Sequence, residues 1–201
     1  YAHAAREIYY AYTSQVEPFG LDECWLDVTG SAGLFGDGRT VADEIRARIK
    51  RELGVSVSIG VSFNKVFAKL GSDLHKPDAT TVIGRAQMRQ TVWPLPVESL
   101  LYVGRATHRR LRERGICTIG QLAAADPAEL RRSFGKPGLT LWTFANGLDT
   151  SPVCEQGERA MVKSIGNSTT TPRDLCCDED TGIVYWMLCE SVAERMRESG
   201  F

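Results

Sequence analysis

The sequence predicts an α+β fold: helices packed on one sheet, then a run of short helices, then a closing segment of strand-like residues and one long helix. Three observations lead there. Val55, Val57, Ile59 and Val61 alternate with small residues, the period of a strand with one packed face. Phe63, Val66, Phe67, Leu70 and Leu74 then recur at three and four, the stripe of a helix lying on a sheet. From Val97 to about Gly147 the texture changes to short helical stretches divided by Gly, Pro and Asp.

The elements follow in order. Residues 1–14 read as the end of a helix, with Ala4, Ala5, Ile8 and Tyr12 on one stripe. Glu17-Pro18 and Gly20 supply turn chemistry before a strand at Cys24–Val28. Gly30 to Gly38 is glycine-rich but lacks the Lys and Ser/Thr of a phosphate-binding loop, so it reads as turns. Thr40 is placed to cap a helix to about Leu53, with Val41, Ile45 and Ile49 at one-turn spacing and Gly54 ending it. Pro77 closes the helix of the 63–74 stripe, and Thr80–Ile83 reads as another strand. Trp93-Pro94-Leu95-Pro96 reads as a linker. Asp126-Pro127-Ala128-Glu129 is a well-formed helix start, with an N-cap acid and Pro at the first helical position. Ser151-Pro152 marks a second break, Val162–Thr171 is polar and β-branched and so strand-like, and Thr181–Ser199 forms the last helix.

At 201 residues, with 43% hydrophobic and 24% charged residues, the chain has the composition of a globular protein of one or two domains. No apolar run approaches the roughly 20 residues of a membrane span. The six cysteines form no Cys-x-x-Cys and the three histidines lie apart from them, which argues against zinc and for reduced thiols in a cytoplasmic protein. Net charge is −1, but its distribution is uneven. Arg105, Arg109, Arg110, Arg112, Arg114, Arg131, Arg132 and Lys136 make the middle segment basic, pointing to a polyanion partner or to a solvated helical face.

Asp22 and Glu23 carry the chemistry. They are adjacent acids in an otherwise apolar run, Gly20-Leu21-Asp22-Glu23-Cys24-Trp25-Leu26-Asp27. Neighbours on a regular strand point to opposite faces, so both serve one site only where the backbone turns. A hairpin whose tip or first ladder position presents both carboxylates to a cleft meets that condition. Such a pair suits Mg²⁺, which prefers oxygen and is shared between one or two carboxylates and substrate phosphates. The alternative is a solvated acidic turn.

Several motifs now stand in one order: the acidic run above; Gly60-Val61-Ser62-Phe63-Asn64-Lys65-Val66-Phe67-Ala68-Lys69-Leu70; Ser72-Asp73; Lys76-Pro77-Asp78; Phe134-Gly135-Lys136; Gly147-Leu148-Asp149; and Lys163-Ser164-Ile165-Gly166. Together they resemble the Y-family of translesion DNA polymerases, in its bacterial DNA polymerase IV branch. The resemblance implies a partial polymerase palm (a mixed sheet with packed helices) over residues 1–84. A small helical thumb with a helix-hairpin-helix follows over 85–151, then a linker over 152–161 and the start of an α/β little finger over 162–201. It implies nucleotidyl transfer in lesion-bypass DNA synthesis, with primer-template DNA and dNTP as partners and two Mg²⁺ per complete active site. A sliding clamp would bind through segments outside this sequence.

On the matching positions, Asp22 is a metal ligand and Glu23 the second active-site acid, also near a metal. Lys76 binds the dNTP triphosphate, a role suited to a flexible ammonium beyond a helix end. Lys65 and Lys69 are read as structural. Gly104, Arg105 and Thr107 fall in the first half of the helix-hairpin-helix, whose glycine turn and helix N-terminus meet DNA phosphate. Lys163, Ser164 and Gly166 match the first little-finger strand along the template.

Gly20, Cys24 and Tyr102 depart from the family pattern, which usually has Ser, Ala and Gly there. The family's N-terminal strand, with another metal-binding Asp and the steric-gate aromatic, has no counterpart among the 201 residues, so the chain is read as a fragment, inactive alone and prone to self-association at its unpaired edges. A non-catalytic DNA-binding relative that keeps the thumb surface is the second reading. A nucleotide cyclase with a related palm explains the acids but not the later motifs.

Overall fold

The computed structural model describes residues 1–155, 162 and 164–201. The chain divides into two units, 1–156 and 157–201.

The first unit opens with helix α1 (Ala2–Tyr10), which buries Ile8 and leads to buried Tyr12. Strands β1 (Val16–Phe19) and β2 (Glu23–Leu26) form an antiparallel hairpin pairing Val16 with Leu26 and Phe19 with Glu23. Gly20 turns it at φ +69°, a left-handed value that glycine takes without steric cost. After a single 3₁₀ turn at Thr29–Ser31 come α2 (Ala32–Phe35) and α3 (Gly38–Leu53). Asp37, not Thr40, caps α3. Its carboxylate accepts from the Thr40 amide at 2.8 Å, and the Thr40 hydroxyl donates to the same oxygen at 2.7 Å. Gly54 ends α3 at φ +69°.

Strand β3 (Ile59–Ser62) pairs in parallel with β4 (Thr80–Ile83), and helix α4 (Lys65–Leu74) connects them. The strand begins at Ile59 rather than Val55: Val55 is exposed, Val57 and Ile59 pack on the core of α1 and α3, and within 55–62 only 59–62 meet a partner strand. Asn64 caps α4 by accepting from the Phe67 amide at 2.8 Å. At Gly60 and Gly71 strand and helix approach so closely that a Cβ on Gly60 would lie 1.8 Å from the Ala68 carbonyl oxygen. The sheet is in two pieces: no ladder joins the β1–β2 pair to the β3–β4 pair among the described residues.

The remaining helices are α5 (Met88–Thr91), α6 (Arg105–Arg112), α7 (Ile119–Ala124), α8 (Pro127–Phe134) and α9 (Lys136–Ala145). Asp126 caps α8 on the Ala128 amide, and Thr118 and Gln121 form a capping box on α7. One continuous core runs from Val66, Phe67 and Leu70 of α4 through Val92 and Val97 to Leu111, Ile119, Leu141 and Ala145. The Trp93–Pro96 segment is therefore a packed joint, not a linker. The Trp93 indole donates to the Ala145 carbonyl at 3.2 Å, and the Leu95 carbonyl accepts from the Ile119 amide at 3.0 Å.

The second unit is dominated by α10 (Asp178–Glu198), which starts acidic with Asp178, Glu179 and Asp180 and leaves Ile183, Tyr185, Trp186 and Met187 exposed. The described residues of 162–171 form no strand, a correction to the sequence expectation: β-branched composition gives strand propensity, but a strand also needs a partner, and none pairs with them. No described helix is long and apolar enough to cross a membrane.

Candidate active site

The β1–β2 hairpin resolves the geometric difficulty of two adjacent acids. Asp22 stands exposed in the turn and Glu23 occupies the first ladder position opposite Phe19. Both open onto one cleft of about 700 Å³. Its walls come from β2 and from Ile59–Ser62, its floor from Val41, Ala42 and Ile45 of α3, and its rim from Lys69, Lys76 and Asp149–Val153.

The hairpin is pinned from behind. Lys65, at the start of α4, donates to the Glu17 carboxylate and lies 5.1 Å from the centre of the Trp25 ring. The Trp25 indole donates to the Lys65 carbonyl at 3.0 Å, and the Cys154 amide donates to Glu17 at 2.9 Å. Burial pushes the Glu17 carboxyl up, but the hydrogen bonds from Lys65 and Cys154 and the lysine charge outweigh it, leaving it below the ordinary glutamate range. A carboxyl depressed in the fold contributes stability that is full above its unfolded pKa and is lost as pH falls through its lower folded value. Thermal unfolding followed from pH 6 downward should therefore show a flatter acid limb in Glu17→Gln than in the parent, with the two curves converging at the lowest pH.

Charges alternate along the α4 side of the cleft. The Lys69 ammonium bridges Glu23 at 3.1 Å and Asp73 at 2.6 Å, and Lys76 reaches the other Asp73 oxygen at 2.7 Å. Burial pushes Lys69 down, yet its bonds to Asp73 and Glu23 prevail and raise it. Asp73 is correspondingly lowered by its two lysines despite burial. Sequence reasoning assigned Lys69 to structure alone and missed its contact with Glu23. Its four-residue spacing from Asp73 was the available signal, since such pairs face each other on a helix. At the other end, burial pushes the Tyr9 hydroxyl up to about 12, with the charges of Cys24 and Asp22 adding to it, so the ring enters the cleft as a proton donor at neutral pH.

Asp22, Glu23 and Lys76 thus share one cleft. Gly104 and Arg105 lie elsewhere, at the exposed start of α6, where Gly104 is the N-cap without a side-chain cap and Thr107 is half-buried in the first turn. The turn before it runs Leu100 to Val103, closed by the Val103 amide on the Leu100 carbonyl at 3.1 Å, with Tyr102 at φ +70°. Ser164 and Gly166 belong to the second unit, exposed, with the Arg195 guanidinium donating to the Gly166 carbonyl at 2.8 Å. Lys163 lies outside the described residues.

Asp22 and Glu23 supply the oxygen donors that Mg²⁺ prefers, on a cleft of about 700 Å³. Among the described residues no group of three or more His, Cys, Asp or Glu side chains converges on one point, so the pair fits part of a magnesium site.

A two-carboxylate hairpin on a palm-like α+β core, joined through a packed segment to a small helical domain, defines the class of polymerases with palm and thumb. Residues 1–73 match the impB/mucB/samB family and residues 99–149 the DNA polymerase-iota thumb domain. The chain is 58% identical over 193 residues to DNA polymerase IV of Acetivibrio thermocellus, covering 96% of this chain and 48% of that protein. It is 40% identical over 190 residues to DNA polymerase IV of Moorella thermoacetica, covering 94% and 47%. Among solved structures, an insertion ternary complex of Dbh DNA polymerase aligns with TM-score 0.69 at 26% identity over 76% of this chain and 45% of that one. DinB from Sulfolobus solfataricus aligns with TM-score 0.66 at 27% identity over 76% and 46%. The chain has the fold of Y-family DNA polymerases of the DNA polymerase IV and DinB type, with a matching palm and thumb. It spans about half the length of the curated relatives it matches.

Proposed function

We propose that this chain is the palm-and-thumb part of a lesion-bypass DNA polymerase that adds dNTPs to a primer on damaged template in the cytoplasm. The observation that carries the reading is the hairpin placing Asp22 and Glu23 at the mouth of the cleft whose rim holds Lys69 and Lys76. In templated transfer a primer 3′-hydroxyl attacks the α-phosphorus of the dNTP and pyrophosphate leaves. Magnesium, when bound, lowers the pKa of that hydroxyl and neutralises the leaving phosphates. Asp22 and Glu23 would hold it.

The chain's own residues do the rest by position and charge. Lys76 extends from beyond α4, 53% exposed, with only an exposed ion pair to Asp73 to give up, so exchanging that carboxylate for a triphosphate oxygen costs little. Lys69 holds Glu23 in place and offsets the repulsion between Glu23 and Asp22. Tyr9 keeps its proton and offers a hydrogen bond into the cleft. On the thumb, the uncapped amides at Gly104 and the cations of Arg105 and Arg109 suit phosphate without reading sequence, which a polymerase copying damaged template requires. Ser164, Gly166 and Lys163 are assigned to the template backbone on the motif they share with the family.

The thumb assignment is tested by salt titration of primer-template binding. Arg105→Ala is expected to weaken duplex binding equally on unrelated sequences and to lower the slope of log K against log salt by about 1. An unchanged slope would remove Arg105 from the DNA surface.

A further inference from the structure

We propose that Arg46 is a positioning residue for Lys76: its guanidinium, reaching from α3, clamps residues 76–78 and so fixes the backbone from which the Lys76 ammonium enters the cleft. The segment needs such a clamp. Helix α4 ends at Leu74, and its C-cap residue His75 has φ −130° and ψ 44°, outside the helical region. Strand β4 begins only at Thr80. Between them Asp78 takes φ +52°, a left-handed value that aspartate adopts more readily than most residues but not without steric cost. A residue held in such a conformation persists only where its surroundings fix it.

Arg46 does the fixing. One of its terminal nitrogens donates to both the Asp78 carbonyl and the Asp78 carboxylate, the latter at 2.8 Å. The other donates to the Thr80 hydroxyl at 3.2 Å and to Asp43 at 3.3 Å. Thr80 in turn donates to Asp43 at 2.6 Å, and Lys50, one turn further along α3, donates to the second Asp78 oxygen at 2.8 Å. Among the described residues no other hydrogen bond reaches the backbone of Lys76, Pro77 or Asp78. A guanidinium suits this work because its planar fork holds several donors in fixed directions, which a lysine ammonium cannot reproduce.

Arg46 acts through its neighbours rather than on a ligand. Lys76, Pro77 and Asp78 line the cleft with Asp22 and Glu23, whereas Arg46 does not. Its side chain is 21% exposed against 66% for Lys50, so it is the enclosed cation of the group. Lys76 itself pairs only with Asp73, an exposed contact that does little to hold a side chain. A lysine on a fixed backbone loses less freedom on taking a triphosphate oxygen than one on a mobile segment. The clamp stands on the geometry, and its consequence for nucleotide binding rests on the polymerase reading.

A double-mutant cycle in the full polymerase polypeptide tests the consequence. Arg46→Met should raise the apparent Kd for the correct dNTP in single-turnover incorporation about tenfold and leave the maximal rate within about threefold. In a Lys76→Met background the same change should add less than about twofold, since the residue it positions is gone. Arg46→Lys should weaken dNTP binding nearly as much as Arg46→Met. Equal losses in both backgrounds would assign Arg46 to the scaffold alone and overturn the proposal, and full rescue by Arg46→Lys would overturn it in favour of a charge effect. The ¹⁵N-labelled chain gives a readout that needs neither nucleotide nor turnover. Order parameters at the Lys76 and Asp78 amides should fall from about 0.85 to below about 0.6 in both Arg46 variants, while those of Ile49 and Val82 hold. Unchanged values at Lys76 and Asp78, or an equal fall at Ile49 and Val82, would overturn the clamp whatever the kinetics. Loosening confined to Lys76 and Asp78 in a polypeptide that never incorporates a nucleotide would uphold the clamp and remove the polymerase reading instead.

Discussion

Changing Asp22 to Asn together with Glu23 to Gln is expected to lower single-nucleotide incorporation by the full polymerase polypeptide about a thousandfold or more, the equivalent of the several kcal/mol a bound metal supplies at roughly 1.4 kcal/mol per decade. Folding should be almost untouched. Asp22 is exposed in a turn, and Glu23 gives up one partly exposed ion pair to Lys69, worth at most about 1 kcal/mol. Affinity for primer-template should also hold, because the thumb residues lie on α6 rather than in the cleft. The amides keep shape and remove charge, so a loss confined to incorporation isolates the charge. Salt-sensitive duplex binding that survives in the double variant, with no incorporation by the unsubstituted polypeptide to lose, would instead point to a non-catalytic DNA-binding role.

The second large effect concerns the scaffold. Gly60→Ala should destabilise the first unit by about 3 kcal/mol or more, at the upper end for inserting atoms into a filled space. The added carbon would sit 1.8 Å from the Ala68 carbonyl and 2.5 Å from the Ser72 nitrogen, both backbone atoms of α4. Neither can rotate away as a side chain would, so β3 must lift off the helix. Because β3 is a wall of the cleft and α4 carries Lys69, the misfit reaches the site. Gly54→Ala is the control, since nothing lies within 4 Å of the added carbon and only the φ of +69° resists it. Urea unfolding of the two variants should differ by about 2 kcal/mol, given a cost near 1 kcal/mol for a left-handed non-glycine residue. Equal midpoints would contradict the close packing of β3 on α4.

Much of this was legible in the residues. Val41, Ile45 and Ile49, then Val66, Phe67 and Leu70, announce their helices because periodic burial is written directly into sequence, and all six are buried. Asp22-Glu23 after Gly20 announced a hairpin because one turn is the simplest way to bring neighbouring acids to one cleft. What escaped depends on partners distant in sequence. Glu17-Pro18 read as turn chemistry rather than as part of a strand, yet proline is tolerated in a ladder where its missing N–H faces away from the partner. Trp93–Pro96 read as a linker because proline punctuates, although the same rigidity lets Trp93 and Leu95 pack on α9 and α7. Lys69 read as structural alone because only the fold brings Glu23 to it. The break into two sheets was not legible, since alternation records burial and not which edge finds a neighbour.

The account rests on Asp22 and Glu23 holding a divalent cation that a nucleotide's phosphates share. Paramagnetic Mn²⁺ titrated into the ¹⁵N-labelled chain with a non-hydrolysable dNTP tests this without requiring turnover. Broadening should centre on the Asp22, Glu23 and Cys24 amides and spread to Lys69 and Lys76, and it should vanish in the Asp22→Asn, Glu23→Gln variant. Broadening centred on any other cluster of acids, or surviving in that variant, would contradict it.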